Sequence, residues 1–311
     1  MGNVKKIKKI VIVTGNSGFV GRYLTRTLLK KGFFVVGFDL LRTKDNYALK
    51  HKSFKQKKVD LCLEDSLLRA CKSIENISFV FHTVAIQPVD KSMDIKEYLA
   101  INLNGASNLI NACEVCCFKN LIVSSSFSVY GKPQYLPIDE NHSTQPNNIY
   151  GLSKLLAEKL FEFYARTKEF HITILRYDGI YGNGQTIPGF IQYLIKACAN
   201  NEEIELFHNG IQKRDNVFVE DVVQSNIKAM KYNKREKYGV FNIGGSEPKT
   251  SFQTASTVQK VLKSNATIIS SPRTSAIGFD TYMTSAKAEE VLGYKPKKLE
   301  QNIKLMLKEN Q

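Results

Sequence analysis

IVIVTGNSGFVG, residues 10–21, opens with five β-branched residues and turns at Thr14 into a loop of spaced glycines. A short unbroken β-branched run reads as a strand buried on both faces. The segment after it, FVGRYLTRTLLKKG (19–32), has helical spacing and closes on Gly32. Strand, glycine loop and helix in this order make the first half of a βαβ unit. Gly15 can form the tight turn, Gly18 lets backbone approach a pyrophosphate, and Gly21 permits close helix packing. The helix N-terminus offers N–H groups and partial positive charge to phosphates.

Outward from this loop, FVVGFD (34–39) reads as a second strand ending on Asp39, where a carboxylate accepts hydrogen bonds from an adenosine ribose. That carboxylate repels a 2′-phosphate and favours NAD, while Arg42, three residues on, keeps NADP open. KKVDL (57–61) ends a third strand. Asp60 there has two readings, a bond to an adenine amino group or a loop cap. Residues 64–75 look helical and FVFHTVA (79–85) is a fourth strand. Residues 97–116 read as one long helix, NLIVSSS (120–126) as a fifth strand, 150–168 as a helix and HITILRY (171–177) as a sixth strand. This alternation predicts an α/β fold, a doubly wound parallel (Rossmann) sheet covered on both faces. Beyond 178 the pattern loosens into Gly-, Asn- and Pro-rich loops such as GNGQTIPG (182–189). The expected organisation is a NAD-binding domain over 1–177, with a returning strand near 239–245, and a smaller intertwined substrate-binding lobe over 178–311.

Composition narrows the class. With 43% hydrophobic and 23% charged residues, the 311-residue chain is an ordinary globular protein, long enough to bury its core without disulfides. No window approaches eighteen apolar residues, so no helix is expected to span a membrane. The apolar run after the first lysines is too short for a signal peptide, and Lys6 argues against myristoylation at Gly2. Cys113 and Cys116 have C-x-x-C spacing but no second pair, which predicts reduced structural thiols, no metal, and a cytoplasmic protein. The net charge of +15 is spread along the chain without an aromatic-interleaved stripe. It is read as a lysine-rich surface that draws anionic small molecules, not as a nucleic-acid site.

Two later stretches carry chemistry. SSSFSVYG (124–131) puts Ser126 at the carboxyl end of the fifth strand, and YGLSK (150–154) puts Tyr150 and Lys154 on one helix face. A tyrosine titrates near ~10, so it becomes a useful base only if positive charge favours its phenolate. Lys154 and an oxidised nicotinamide ring are the expected sources, with Ser126 bonding the same oxygen and relaying its proton.

With these motifs in place, the chain resembles an extended short-chain dehydrogenase/reductase of the nucleotide-sugar epimerase and dehydratase group, of UDP-glucose 4-epimerase type. TGNSGFVG is similar to that family's glycine loop, FVFHTVA to its H-x-A-A strand, INLNG to its N-x-x-G segment, and SSSFSVYG with YGLSK to its catalytic motifs. LRYDGIYG (175–182), KRDNVFVEDV (213–222) and TSAKAEEVLGYKP (284–296) extend the likeness over nearly the whole chain. The resemblance implies that Thr83, Val84 and Ala85 lie beside the cofactor and Asn102 near its nicotinamide half. It adds Ser17, Phe19, Val20, Leu61 and Ser124 to the cofactor set of Gly15, Gly18, Asp39, Asp60, Tyr150 and Lys154. For a nucleotide-diphosphate sugar it implies Gln87, Ser126, Phe127, Tyr150 and Phe190, with Arg214 on the diphosphate. A homodimer paired through the helices at 97–116 and 150–168 is implied as well.

The chain also departs from the family. Phe127 and Ser128 stand where dehydratases carry an acidic pair, which argues against a 4,6-dehydratase. Gly179 stands where C4-epimerases usually have an asparagine, and Arg273 in PRTSAIGFD is offset from their usual arginine. The resulting expectation is an NAD-dependent nucleotide-sugar C4-epimerase. The alternatives are a ketoreductase or dehydrogenase of a nucleotide-linked deoxy-sugar, and a non-catalytic dinucleotide-binding protein.

Overall fold

The computed structural model describes residues 9–86, 94–185, 187–274 and 278–309. In chain order the first elements are β1 (Ile10–Thr14), α1 (Phe19–Lys30), β2 (Phe34–Asp39), α2 (Asn46–Lys50), β3 (Phe54–Lys58), α3 (Glu64–Lys72) and β4 (Ile77–His82). They are followed by α4 (Ile95–Tyr98), α5 (Gly105–Val115), β5 (Asn120–Ser126), α6 (Ile149–Thr167) and β6 (His171–Tyr177). The later elements are β7 (Gly179–Tyr181), α7 (Phe190–Asn200), β8 (Ile204–Leu206), β9 (Lys213–Arg214), β10 (Asn216–Phe218) and α8 (Val219–Asn233). The last are β11 (Tyr238–Ile243), β12 (Lys249–Thr250), α9 (Ser251–Leu262), β13 (Ile268–Ser270) and α10 (Leu299–Glu309).

Seven strands form one sheet in the order β3-β2-β1-β4-β5-β6-β11. β1 lies parallel to both β2 and β4, so the order reverses beside it. Loops leaving β1 and β4 therefore diverge at the carboxyl edge and open the crevice where such sheets bind ligands. The expected doubly wound α/β architecture is present. Val11, Ile12 and Val13 are fully buried, as a two-sided sheet demands. Leu24, Leu28 and Leu29 of α1 bury the face one helical turn apart. Ile12 belongs to a core cluster that runs through Phe38, Val80, Ile110, Leu121, Phe161 and Ile172. Each such side chain is worth roughly 1.5–3 kcal/mol when fully buried. Asn233, at the end of α8, is also fully buried, and its amide donates to the carbonyls of Leu121 (2.9 Å) and His171 (2.8 Å), bonding both β5 and the start of β6.

Three local readings are corrected. β3 ends at Lys58, so Asp60 and Leu61 lie in the loop beyond it, and β4 ends at His82, leaving Thr83–Ala85 in the following loop. The expected long helix over 97–116 is interrupted by a π-helical segment, Leu99–Asn104. Within it the Asn102 side chain turns inward to the backbone of Ile86 and to Ser153, and widened turns of this kind recur at functional sites.

The chain divides into two compact units. One comprises Met1–Val129, Pro146–Leu175 and Asn226–Val240, the other Tyr130–Gln145, Arg176–Ser225 and Phe241–Gln311. Residues 130–145 thus group with the second unit although they precede 177, and the chain passes between units at 130, 146, 176, 226 and 241. In the second unit α7, α9 and α10 enclose Leu194, Ala197, Ile204, Leu206, Val258 and Ile303. The strand pairs β7–β10, β9–β12 and β8–β13 belong to this unit.

Candidate active site

The glycine loop is fixed by backbone contacts. Gly15 sits at φ +73° and donates to Phe38 O (2.8 Å); a Cβ there would lie 3.0 Å from Val84 N. A Cβ on Gly21 would lie 2.0 Å from Gly15 O, so only glycine lets α1 approach the turn this closely. Gly18 caps α1 without a side-chain cap bond, and no acidic residue occupies the first turn, where Phe19 and Val20 stand. The N–H groups and partial positive charge at this end are left for an anion. Ser17 N–H donates to Asp39 Oδ2 (3.0 Å) and Leu41 N–H to Asp39 Oδ1 (3.0 Å), which aims the carboxylate. Each oxygen keeps a lone pair for a ribose hydroxyl. Asp39 lines a concavity of about 610 Å³ with Leu41, Arg42, Gln56 and Lys58. Asp60 Oδ1 accepts from Cys62 N–H (2.9 Å) in the loop after β3. Leu61 is buried beside it, its carbonyl accepting from Asn108 (2.8 Å).

Residues in this region fit a dinucleotide. The buried Ser124 hydroxyl makes no hydrogen bond among the described residues, nor does the amide of Asn16, itself 1% exposed inside the loop. Such orphaned polar atoms call for a partner that a bound group supplies. Asn102, by contrast, is used internally. Its Oδ1 accepts from Ile86 N–H (2.9 Å) and its Nδ2 donates to Ser153 Oγ (2.9 Å), whose hydroxyl bonds Tyr150 O (2.8 Å). It braces the first turn of α6.

Ser126, Tyr150 and Lys154 converge in one unit. Ser126, at the end of β5, hydrogen-bonds the phenol of Tyr150 and also meets Ser128 Oγ at 3.2 Å. Phe127 opens the single 3₁₀ turn that follows. Enclosure of the Tyr150 phenol pushes its pKa up to about 12, the Ser126 bond pulling the other way. Burial likewise drives Lys154 down to about 8, opposed by Glu158. The expectation that Lys154 lowers the tyrosine's pKa is not met. Its ammonium donates to Ser124 O (2.5 Å), and desolvation governs the phenol. Glu158, 3% exposed and bonded by Ser125 Oγ, was missed in the sequence, although its place four residues after Lys154 was a legible signal. His82, fully enclosed, is held neutral, its pKa lowered by burial to about 3.

In the second unit, Arg214 lines a cavity of about 640 Å³ with Phe190, Tyr193, Phe207, His208 and Asn216. Its Nη1 donates to Phe279 O (2.7 Å) and Lys213 O (2.8 Å), and its Nη2 to Gln212 Oε1 (3.1 Å), so the guanidinium is oriented. Asp221 instead meets Lys297 (3.4 Å). Sequence reading also missed a pair of buried carboxyls. Asp178 and Asp215 are 6% and 2% exposed, their Oδ1 atoms bonded to Gly179 N–H (2.6 Å) and Gly245 N–H (2.9 Å). Burial raises both pKa values, Asp215 to about 7, and Asp215 raises Asp178 further. Nothing local in the sequence marks this pair, because the fold alone brings 178 and 215 together.

Gln87 lies outside the described residues. All six cysteines are free, and Cys113 is buried with its thiol pKa driven up by desolvation. Among the described residues no group of three or more His, Cys, Asp or Glu is placed to hold a metal, and no helix is long and apolar enough to cross a membrane.

The NAD dependent epimerase/dehydratase family matches residues 11–244. A Bacillus subtilis protein named "Uncharacterized UDP-glucose epimerase YtcB" is 30% identical over 92% of both chains. A "Putative UDP-glucose 4-epimerase" of Methanocaldococcus jannaschii is 30% identical over 92% of this chain and 93% of its own. Among solved structures, the UDP-glucose 4-epimerase with UDP-glucose of Thermotoga maritima superposes with a TM-score of 0.84 at 27% identity, covering 96% of this chain and 97% of that one.

Proposed function

The chain belongs to the NAD-dependent epimerase/dehydratase family, and from that premise we propose that it is a nucleotide-sugar C4-epimerase of the extended short-chain dehydrogenase/reductase type. The observation that carries this reading is the convergence of Ser126, Tyr150 and Lys154 in the same compact unit as the glycine loop and Asp39.

The residues divide the work. Gly15, Ser17, Gly18, Phe19 and Val20 hold the pyrophosphate at the α1 N-terminus, and Asp39 takes the adenosine ribose. Leu61, Val84 and Ala85 pack against the cofactor, and Ser124 offers its buried hydroxyl. When bound, oxidised NAD supplies a hydride acceptor and a positive ring charge that favours the phenolate. Tyr150 Oη takes the proton of the sugar 4-hydroxyl and returns it, with Ser126 Oγ on the same hydrogen-bond line. Lys154, held by Ser124 O, keeps positive charge near the site up to about pH 8. Arg214 holds the diphosphate and Phe190 packs on the nucleotide side of the same cavity.

One observation favours a second reading. A tyrosine raised to about 12 is protonated at rest, which suits a proton donor. In a ketoreductase of a nucleotide-linked deoxy-sugar the same triad would donate its proton. The experiment is to quantify NAD released by acid from the purified protein and follow UDP-, GDP-, CDP- and dTDP-sugars by NMR. Near-stoichiometric NAD and interconversion of 4-epimers without added cofactor support the epimerase. A protein that turns over only keto-sugars while consuming NADH or NADPH refutes it and establishes the reductase.

A further inference from the structure

Gly179 of β7 and Asn216 of β10 are partners in a parallel register. A Cβ built on Gly179 would lie 2.9 Å from Asn216 Oδ1, so the asparagine side chain lies across the bare face of the glycine. Three residues of one extended run alternate here. Asp215 points inward to Gly245 N–H, while Arg214 and Asn216 on either side both line the 640 Å³ cavity. The same two residues also line a narrower polar recess with Lys249, Lys297, Ser246 and Thr254. Asn216 is half-buried, and among the described residues its amide makes no hydrogen bond. With Oδ1 over Gly179, Nδ2 keeps two donors for a ligand. The oriented Arg214 guanidinium beside it draws an anion, while the lysines of the recess are already paired, Lys249 with Glu247 (2.7 Å) and Lys297 with Asp221 (3.4 Å).

We propose that Asn216 is a substrate-binding residue whose amide donates to the diphosphate beside Arg214, and that Gly179 is the positioning residue that gives it room. The inference rests on the nucleotide-sugar reading above. It assigns to position 216 an amide that position 179 of this chain does not carry. An added methyl at 179 must push Asn216 off its place, because 2.9 Å is closer than carbon and oxygen pack.

The test is calorimetric titration of the purified protein with the tightest binder among UDP, GDP, CDP and dTDP, using the matching nucleoside as the control without phosphates. Asn216→Ala is expected to weaken the diphosphate about tenfold and leave the nucleoside within about twofold, as loss of a hydrogen bond to a charged group requires. Gly179→Ala is expected to weaken the diphosphate similarly in the wild-type background and to have no further effect alongside Asn216→Ala. Asn216→Ala binding the diphosphate within about twofold of wild type, or losing the nucleoside equally, overturns the inference alone. A wild-type protein that binds no nucleoside diphosphate overturns the substrate reading and this inference with it.

Discussion

Replacing Gly21 with alanine sets two effects against each other. Inside a helix the change is favourable by about 1 kcal/mol, from propensity alone. Here the new Cβ would stand 2.0 Å from Gly15 O, 2.7 Å from Gly15 C and 2.9 Å from Asn16 Cα. All three are backbone atoms, so no side chain can swing aside. Gly15 is pinned by its bond to Phe38 O and by Val84 against it, and separating the atoms requires the loop or helix to retreat by about 1 Å. Overpacking of this kind costs about 1–3 kcal/mol, so the clash outweighs propensity and Gly21→Ala should lose roughly 1 kcal/mol net. The larger effect falls on the cofactor, because the displaced N–H groups are those proposed to meet the pyrophosphate. Co-purified NAD should fall at least about tenfold. Urea unfolding and acid-released NAD read the two quantities separately. A variant at least as stable as wild type that still carries stoichiometric NAD would refute the reasoning.

Tyr150→Phe keeps the ring and removes the proton carrier. Turnover should drop by roughly 10²–10⁴ while acid-released NAD stays at the wild-type level; activity within about tenfold would take the base role from Tyr150. Asn233→Ala leaves the Leu121 and His171 carbonyls without their shared donor and should cost about 2–4 kcal/mol in urea unfolding, a loss under about 1 kcal/mol being the contrary result. Asp178 and Asp215 hold protons more tightly folded than unfolded. The stability tied to those protons is complete below about pH 4 and drains away as pH rises, for Asp215 towards about 7. Asp178→Asn should therefore melt higher than wild type at pH 8, by a margin that shrinks at pH 5. An equal margin at both pH values contradicts the coupling.

The elements legible from sequence are those set by local physics. β2, β5 and β6 begin and end where the apolar runs FVVGFD, NLIVSSS and HITILRY do, because a strand buried on both faces writes its limits as hydrophobicity. The glycine loop was legible because steric exclusion leaves no other residue at Gly21. β3 was misplaced because FKQKK is mostly polar and carries little periodicity. The pairing of Ser126 with Tyr150 followed from motif order. The destination of the Lys154 ammonium did not, since a backbone carbonyl leaves no mark in residue identity. Asp178, Asp215 and Asn216 acquire their meaning from strand pairings and glycine clearances that exist only once the chain is folded.

The returning strand has a consequence for the order in which the molecule can be made. β6 is buried along nearly its whole length, and its outer partner β11 is encoded beyond residues 178–237. On the ribosome, β6 must wait as an open, apolar sheet edge until that intervening segment has emerged, a state prone to pairing with another chain. Asn233, which bonds both β5 and β6, arrives equally late. A chimera spliced at 177 to exchange substrate lobes would exchange the sheet's last strand and its asparagine clip as well. Recombination in this scaffold should therefore keep 219–243, with α8 and β11 entire, with the amino-terminal half, so that the graft is cut at several points and the cofactor sheet stays whole.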